Sequence, residues 1–392
     1  MKISRNFILS LLCILIFSQC ILIKDFDKDK KSDREKQLLG LFLIYDFFSP
    51  FGIKQQRSAK YSATEVLLFG GNSQRSYSLS NVYKLTENQI TYLGSMNKPR
   101  HQHEVVTLKN GKILIIGGYD GRFILSDSEI YDPANNSFTT VSSLNIPRTY
   151  HTATVLNDGR VLITGGFGKQ SEKLKSAEIF NPSSNSFQLI NDMNFSRRRH
   201  SATLLNNGNV LIVGGDGANE TLSSAELFDP NTNTFTLVGQ QMSVARSNHT
   251  ANLLDNNRVV FSGGYSFDMN GNYFYSKSLE VFDFGTGNFS VIGNMAESRS
   301  AQGAVKVGTD VLICGGGRLE NNIYTEPKDC YKVSNAGVLT KEPYSFITSR
   351  ALFVFEQIGN SIIACGGENK FGQIRSCEAN STGNFSLLHS QL

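Results

Sequence analysis

Six arginines return along this chain at nearly equal spacing: Arg100, Arg148, Arg197, Arg246, Arg299 and Arg350. In four of these places a histidine follows three residues later, giving His103, His151, His200 and His249. Two kinds of chemistry are open to such a set. A near-ring of guanidinium groups binds a carboxylate, a sulfate or an acidic sugar through charge-assisted hydrogen bonds. Alternatively, a residue that recurs at a fixed interval serves the repeating unit itself, here by pairing with the equally regular acids Glu129, Glu178, Glu226 and Glu280. Regularity favours the second reading, and the histidines are read in the same way, as packing residues. Arg299 and Arg350 stand apart, because cysteine is read in the acid's place in their copies, and these two are expected to be free for a ligand.

The element that must position these side chains is a repeat. Gly-Gly pairs stand at 70–71, 117–118, 165–166, 214–215, 263–264, 315–316 and 366–367, at intervals of 47 to 52 residues, and each of the six arginines precedes its pair by 16 or 17. In the copy PRTYHTATVLNDGRVLITGG, at 147–166, two runs rich in Val, Ile, Leu and Thr flank Asn157-Asp158-Gly159. Asp-Gly or Asn-Gly between two such runs signals a tight hairpin, because the turn needs positive φ. Asn110-Gly111 and Asn207-Gly208 repeat the signal. AEIF and SFQLI, joined by the turn-rich NPSSN, supply two further strands. An aromatic recurs in the fourth: Phe138, Phe187, Phe235, Phe289 and Phe385.

A period of about 50 residues marked by Gly-Gly resembles the kelch repeat. Phe stands where kelch units usually carry Trp, and the chain has no Trp. The resemblance covers residues 57–392 and implies an all-β fold, a kelch-type β-propeller of seven four-stranded blades. In the first copy Arg57 lies only 13 residues before Gly70. Blade 1 therefore has either a shortened first hairpin or an inner strand drawn from residues 38–56.

Four cysteines fall in the last two blades. Cys314 and Cys365 end the second strand, and Cys330 and Cys377 lie on the third, in the place read as that of the recurring glutamate. Neighbouring antiparallel strands bring opposed residues within disulfide reach. Cys314–Cys330 and Cys365–Cys377 are the expected bonds, in keeping with an exported protein.

In a propeller the loops after Gly-Gly share one face with the blade-to-blade connections, and ligands favour that face and the channel mouth. These loops do not repeat. The longest, in blades 5 and 6, carry Tyr265, Phe267, Tyr273, Phe274, Tyr275, Arg318 and Tyr324. Aromatics of this kind stack on sugars or anchor a protein partner, so with Arg299 and Arg350 they form the set of ligand-binding candidates. The alternative is that long loops cap their own blade.

The N-terminus is read as separate from the fold. MKISRN carries Lys2 and Arg5 and precedes the apolar run FILSLLCILIF and then SQC, which is a secretory signal over residues 1–19. IFSQC resembles a bacterial lipobox, with Ser18 in a small-residue position, although Gln19 departs from the usual Gly or Ala. The resemblance implies that Cys20 is lipidated and that the protein is exported and anchored in the cell envelope, at the outer membrane. An ordinary signal peptide with an incidental cysteine is the alternative. Residues 20–56 then form a polar tether, KDFDKDKKSDREKQ, and an apolar segment. Its run LLGLFLIYDFF, 38–48, is too short to span a bilayer and is expected as an extra strand or flap. The formal charge of +4, less Lys2 and Arg5, is close to neutral and unclustered, which argues against a nucleic-acid partner.

These observations point to a monomeric binding module for a protein or glycan partner in the envelope. The kelch resemblance also implies an alternative, a carbohydrate-modifying enzyme like the sialic acid mutarotases or the copper-containing galactose oxidases. A mutarotase-like site needs only an acid/base pair and an arginine near the channel. Copper needs converging histidines and a tyrosine bonded to cysteine. Outside the repeat position the chain has only His101 and His389, so no metal, cofactor or catalytic residue is assigned.

Overall fold

Gly111, Gly159 and Gly208 take φ of 80°, 92° and 91° and close the first hairpins of their repeats, as the Asn-Gly and Asp-Gly pairs require. The structure is a computed structural model that describes residues 57–389 apart from 74–77, 270–271, 321–322, 370–371, 375 and 382–383. Cys20, the signal and the 38–48 run lie outside the described residues. Within them the chain is all β, with no helix. Seven antiparallel sheets of four strands follow in chain order, each with strands in the sequence one-two-three-four. In blade 3 these are Thr152–Val155, Val161–Thr164, Ala177–Asn181 and Ser186–Leu189.

The blades form a ring because no blade can bury its own faces. Ile113 and Ile115 on strand two of blade 2 pack against Leu67 and Phe69 of blade 1. The alternate residues, Leu114 and Ile116, pack against Val161 and Ile163 of blade 3. Every second strand is thus buried on both sides, at a gain of roughly 1.5–3 kcal/mol for each large apolar side chain. The recurring fourth-strand phenylalanine fills the place expected for Trp by a cross-strand ring contact. Phe187 lies opposite Phe180, with ring centroids 4.8 Å apart.

Blade 1 has the shortened hairpin. Its inner strand is Arg57–Lys60, paired with Val66–Phe69, so every blade is drawn from contiguous chain. The ring closes by packing of Val66, Leu68 and Leu85 against Ile358, Ile363 and Cys365. Gly359 N–H also donates to Ala63 O at 2.7 Å, and Ser58 Oγ to Glu356 Oε1 at 2.8 Å.

The Gly-Gly pairs are joints between blades. Gly166 N–H donates to Arg197 O of the next blade at 2.8 Å, and a Cβ on Gly165 would lie 2.3 Å from that same oxygen. The histidine of the next blade fills the remaining space, with His200 Cε1 2.9 Å from where that Cβ would stand.

The recurring arginines are wholly buried and serve the blades. Arg148 Nη1 donates to Gly165 O at 2.7 Å and Ser176 O at 3.0 Å, and Nη2 pairs with Glu178 Oε1 at 2.9 Å. Glu178 in turn accepts the N–H groups of Asn145 and Ile146. One ion pair therefore ties the ends of strands two and three to the connection arriving from blade 2.

The expectation that Arg299 and Arg350 are free is corrected. Both have 0% exposure. Arg350 pairs with Glu378 at 2.7 Å and Arg299 with Asp329 at 2.6 Å. The error lay in register by one residue. Thr164 faces Ala177 and Ile163 faces Glu178, whereas Cys314 faces Cys330 and Cys365 faces Cys377. The cysteines thus take the place of Ala177, and Glu378 keeps the acid's place. In blade 6 Tyr331 occupies it. Its hydroxyl accepts Ala296 N–H at 2.7 Å, as the glutamate accepts from the arriving connection, and donates at 2.9 Å to Oδ2 of Asp329, which takes over the pairing with Arg299. The two disulfides, Cys314–Cys330 and Cys365–Cys377, are formed as expected, which agrees with an exported protein.

Candidate ligand site at the channel mouth

The second residue after each recurring arginine lies in the left-handed region. Gln102, Tyr150, Arg199, Asn248, Ala301 and Leu352 have φ of 54–56°, a conformation that a non-glycine residue adopts only under compensation. The compensation is a hydrogen-bonded girdle around the axis. Tyr150 N–H donates to Gln102 O, Arg199 to Tyr150, Asn248 to Arg199, Ala301 to Asn248 and Leu352 to Ala301, at 3.0–3.2 Å. This backbone turns six unlike side chains onto one cavity of about 500 Å³, which all seven blades line.

The cavity is polar on one side and apolar on the other, where Ala301, Leu352 and Phe353 stand. Beneath lie His151, His200 and His249, all shifted well down by burial, His249 to about 3. They are neutral at pH 7 and add no charge. Arg57 and Glu104 pair at 2.7 Å on the wall. Burial raises the Glu104 carboxyl, an effect that Arg57 opposes.

The charge of the mouth is concentrated at blade 4. Asp216, the first residue after its Gly-Gly, is 1% exposed. Its Oδ2 meets Arg198 Nε at 3.1 Å and Arg199 Nη1 at 3.7 Å, and accepts the Tyr265 hydroxyl at 3.0 Å. Arg199 Nη1 donates to that hydroxyl at 2.8 Å. The Arg199 guanidinium lies 4.1 Å from the Tyr150 ring centroid, and that of Arg198 lies 4.8 Å from Phe167. Burial opposes the charge of Arg199, but Tyr265, Tyr150 and Asp216 outweigh it and hold the group more firmly protonated than usual. Two guanidinium groups thus share one carboxylate and leave an excess positive charge at the mouth, next to aromatic faces.

Of the loop residues singled out in the sequence, Tyr265 and Tyr275 line this cavity. Phe267 and Tyr273 lie farther along the same hairpin, Tyr265–Phe267 paired with Tyr273–Tyr275, and Phe274 is 56% exposed on its other face. Arg318 is held in its own hairpin and the adjoining connection, by Thr325, Ser298 and Glu297. Burial raises the Tyr324 hydroxyl, whose oxygen stands 2.3 Å from where a Cβ on Gly317 would be. Neither Arg318 nor Tyr324 reaches the cavity. Sequence reasoning missed Gln102, Tyr150, Arg199, Asn248 and Asp216. The signal was present: superposed repeats keep arginine and histidine fixed, while the residue just before the histidine changes from copy to copy.

The architecture is that of a seven-bladed β-propeller with a ligand-sized axial cavity. Residues 57–244 match the family model described as the KLHDC2/KLHL20/DRC7 Kelch-repeats domain. The four-stranded sheets continue beyond this match through blade 7. No curated protein is significantly similar to the chain. Many solved structures share the fold, these two among them. "Structure of YjhT" has 16% identity and a TM-score of 0.60, covering 75% of this chain and 99% of that one. A novel fungal alcohol oxidase of the AA5 family, in complex with copper, has 15% identity and a TM-score of 0.65, covering 82% of this chain and 71% of that one. Among the described residues no group of three or more His, Cys, Asp or Glu is placed to bind a metal, and the four described cysteines are all held in disulfides, which leaves none to bond a tyrosine.

Proposed function

We propose that this protein is an exported, envelope-anchored binding module that takes an acidic sugar of a glycan at its channel mouth. The observation that carries the reading is Arg199, which lines a cavity of about 500 Å³ and shares the single carboxylate of Asp216 with Arg198. A guanidinium with charge to spare binds a carboxylate, Asn248 and Gln102 supply both donors and acceptors for hydroxyl groups, and Tyr150 and Tyr265 offer faces to a sugar ring. The test is calorimetric titration with galacturonic acid and N-acetylneuraminic acid against galactose. Binding is expected for the acids alone and is lost in Arg199→Gln. Equal binding of galactose, or no binding of either acid, overturns the reading.

The anchor is a proposal on the sequence of residues 1–20, supported by the apolar run FILSLLCILIF followed by SQC, and the two disulfides support export. Mass spectrometry of the mature N-terminus tests it: a diacylglyceryl-modified Cys20 is expected, and an unmodified N-terminus elsewhere removes the anchor.

One observation favours a second reading, a carbohydrate-modifying enzyme. Glu104 and Arg57 line the cavity and pair at 2.7 Å, which brings to the channel a carboxylate able to move a proton and an arginine beside it. Polarimetry on the acidic sugar that binds decides between them: accelerated anomer exchange that is lost in Glu104→Gln establishes catalysis.

A further inference from the structure

From the cavity an aromatic line leads outward over blade 4. Tyr265 and Tyr275 line the mouth. On the same face of their hairpin, Tyr273 stands 5.8 Å from Tyr265 and 6.0 Å from Phe267 between ring centroids. Lys173 of blade 3 closes the line, with Nζ 5.3 Å from the Phe267 centroid. The hairpin is fixed in place, because Phe267 N–H donates to Thr221 Oγ1 at 2.9 Å and Thr221 N–H to Phe267 O at 3.3 Å. Tyr273 is nevertheless 64% exposed. A protein that holds a bare tyrosine in line with two more rings has built a contact surface at little entropic cost.

We infer that the ligand is an oligosaccharide, bound with its acidic sugar in the cavity and its next one or two sugars stacked along Tyr273 and Phe267 toward Lys173. This rests on the acidic-sugar reading above and extends it from a single residue to a chain. Three features fit this occupant. The line is continuous with the cavity through Tyr265, which belongs to both. It presents flat rings in series, which suit successive sugar faces, rather than the enclosed pocket that anchors a protein side chain. A cation stands at each end, Arg199 at the mouth and Lys173 outside, so a second acidic group on the chain is also accommodated.

The experiment measures affinity for galacturonic acid and for its linear oligomers of two to four residues, and for N-acetylneuraminic acid free and at the end of a trisaccharide. Wild type, Tyr273→Ala and the control Phe123→Ala, whose ring is exposed on blade 2, are compared. In wild type, affinity is expected to rise about three- to tenfold for the second sugar and to level off by the fourth. Tyr273→Ala is expected to erase that rise while leaving the free sugars unchanged, and Phe123→Ala to alter neither. Free sugars that bind with no gain on lengthening, or a gain that survives Tyr273→Ala, overturn the inference and leave the acidic-sugar reading standing. Absence of binding by every acid, short and long, overturns both.

Discussion

Arg199 lies with its guanidinium 4.1 Å from the ring centroid of Tyr150, and the two residues occupy the same place in successive repeats. Each follows a buried arginine by two residues, Arg197 and Arg148. In both, a left-handed backbone turns the side chain to the axis, and Arg199 N–H donates to Tyr150 O. The repeat thus supplies a ring of equivalent sockets, and the site arises from what is put into them.

Separation of socket from occupant is open to measurement. Arg199→Gln removes a partly exposed charge and keeps the backbone, so it should lower affinity for an acidic sugar by about ten- to a hundredfold, the worth of one charge-assisted pair. Its melting temperature should stay within about 2 °C of wild type, since surface substitutions of this kind change stability by roughly 0.5 kcal/mol or less. Calorimetric titration and a thermal melt on the same sample check both halves. A variant that loses binding only because it melts early would show Arg199 to be a blade residue after all.

Arg148→Met should behave in the opposite way. It leaves Glu178 buried without its cation, and such a loss costs about 3–5 kcal/mol. The denaturation midpoint should fall accordingly, while any protein that still folds keeps its ligand affinity. Replacing Arg148 and Glu178 together by apolar residues of similar volume should recover much of the loss, and chemical denaturation of the double variant checks this.

Acid sensitivity follows from the histidines. His103, His151, His200 and His249 are all shifted down by burial, so the unfolded chain binds protons near pH 6.5 that the folded chain refuses. Stability is therefore fully present above about pH 6.5 and falls as the pH drops, by about 1.4 kcal/mol per pH unit for each histidine. Glu104 and Glu356, raised by burial, act in the opposite sense as the pH falls through their raised values toward the ordinary carboxylate range, and they offset part of this. A steep loss of melting temperature between pH 6.5 and 5 is expected. His200→Gln should flatten it, because Gln302 already fills the equivalent place in blade 6 and donates to Ser262 O. A pH-melt profile identical to wild type would falsify the assignment.

The fold was legible because its determinants repeat. Gly-Gly, the hairpin glycines and the strand phenylalanines each appear in several copies, and one blade explains the next. The cysteine pairing was legible for the same reason, although the glutamate's place was misread by one residue until the ladders set Cys314 against Cys330 and Glu378 within reach of Arg350. The site was only half legible. Tyr265 and Tyr275 stood out on a long irregular loop, whereas Arg199 and Tyr150 were hidden inside the most regular stretch of the unit. What exposes them is a backbone φ of 55–56°, and nothing in the residue types Tyr and Arg announces it, since glycine is the usual sign of that conformation.

The disulfides sit where the ring is mended. Cys365 and Cys377 belong to the cluster that joins blade 7 to blade 1, and Cys314 and Cys330 to the one that joins blade 6 to blade 7. Among the described residues blade 7 shares no strand with blade 1, so this join rests on packing and a few hydrogen bonds. Each bond closes a short loop, with separations of 16 and 12 residues, and adds about 3 kcal/mol by restricting the unfolded chain. Both are at most 1% exposed, so a reductant should act only after local opening. Hydrogen exchange on Cys365→Ala/Cys377→Ala should show protection falling first and most in the second strands of blades 7 and 1, Ser361–Cys365 and Val66–Phe69. Blades 3 and 4, on the far side of the ring, should change by no more than the global loss of stability. Uniform deprotection of all seven blades would mean that the propeller opens as one unit and that the bonds contribute nothing particular to closure.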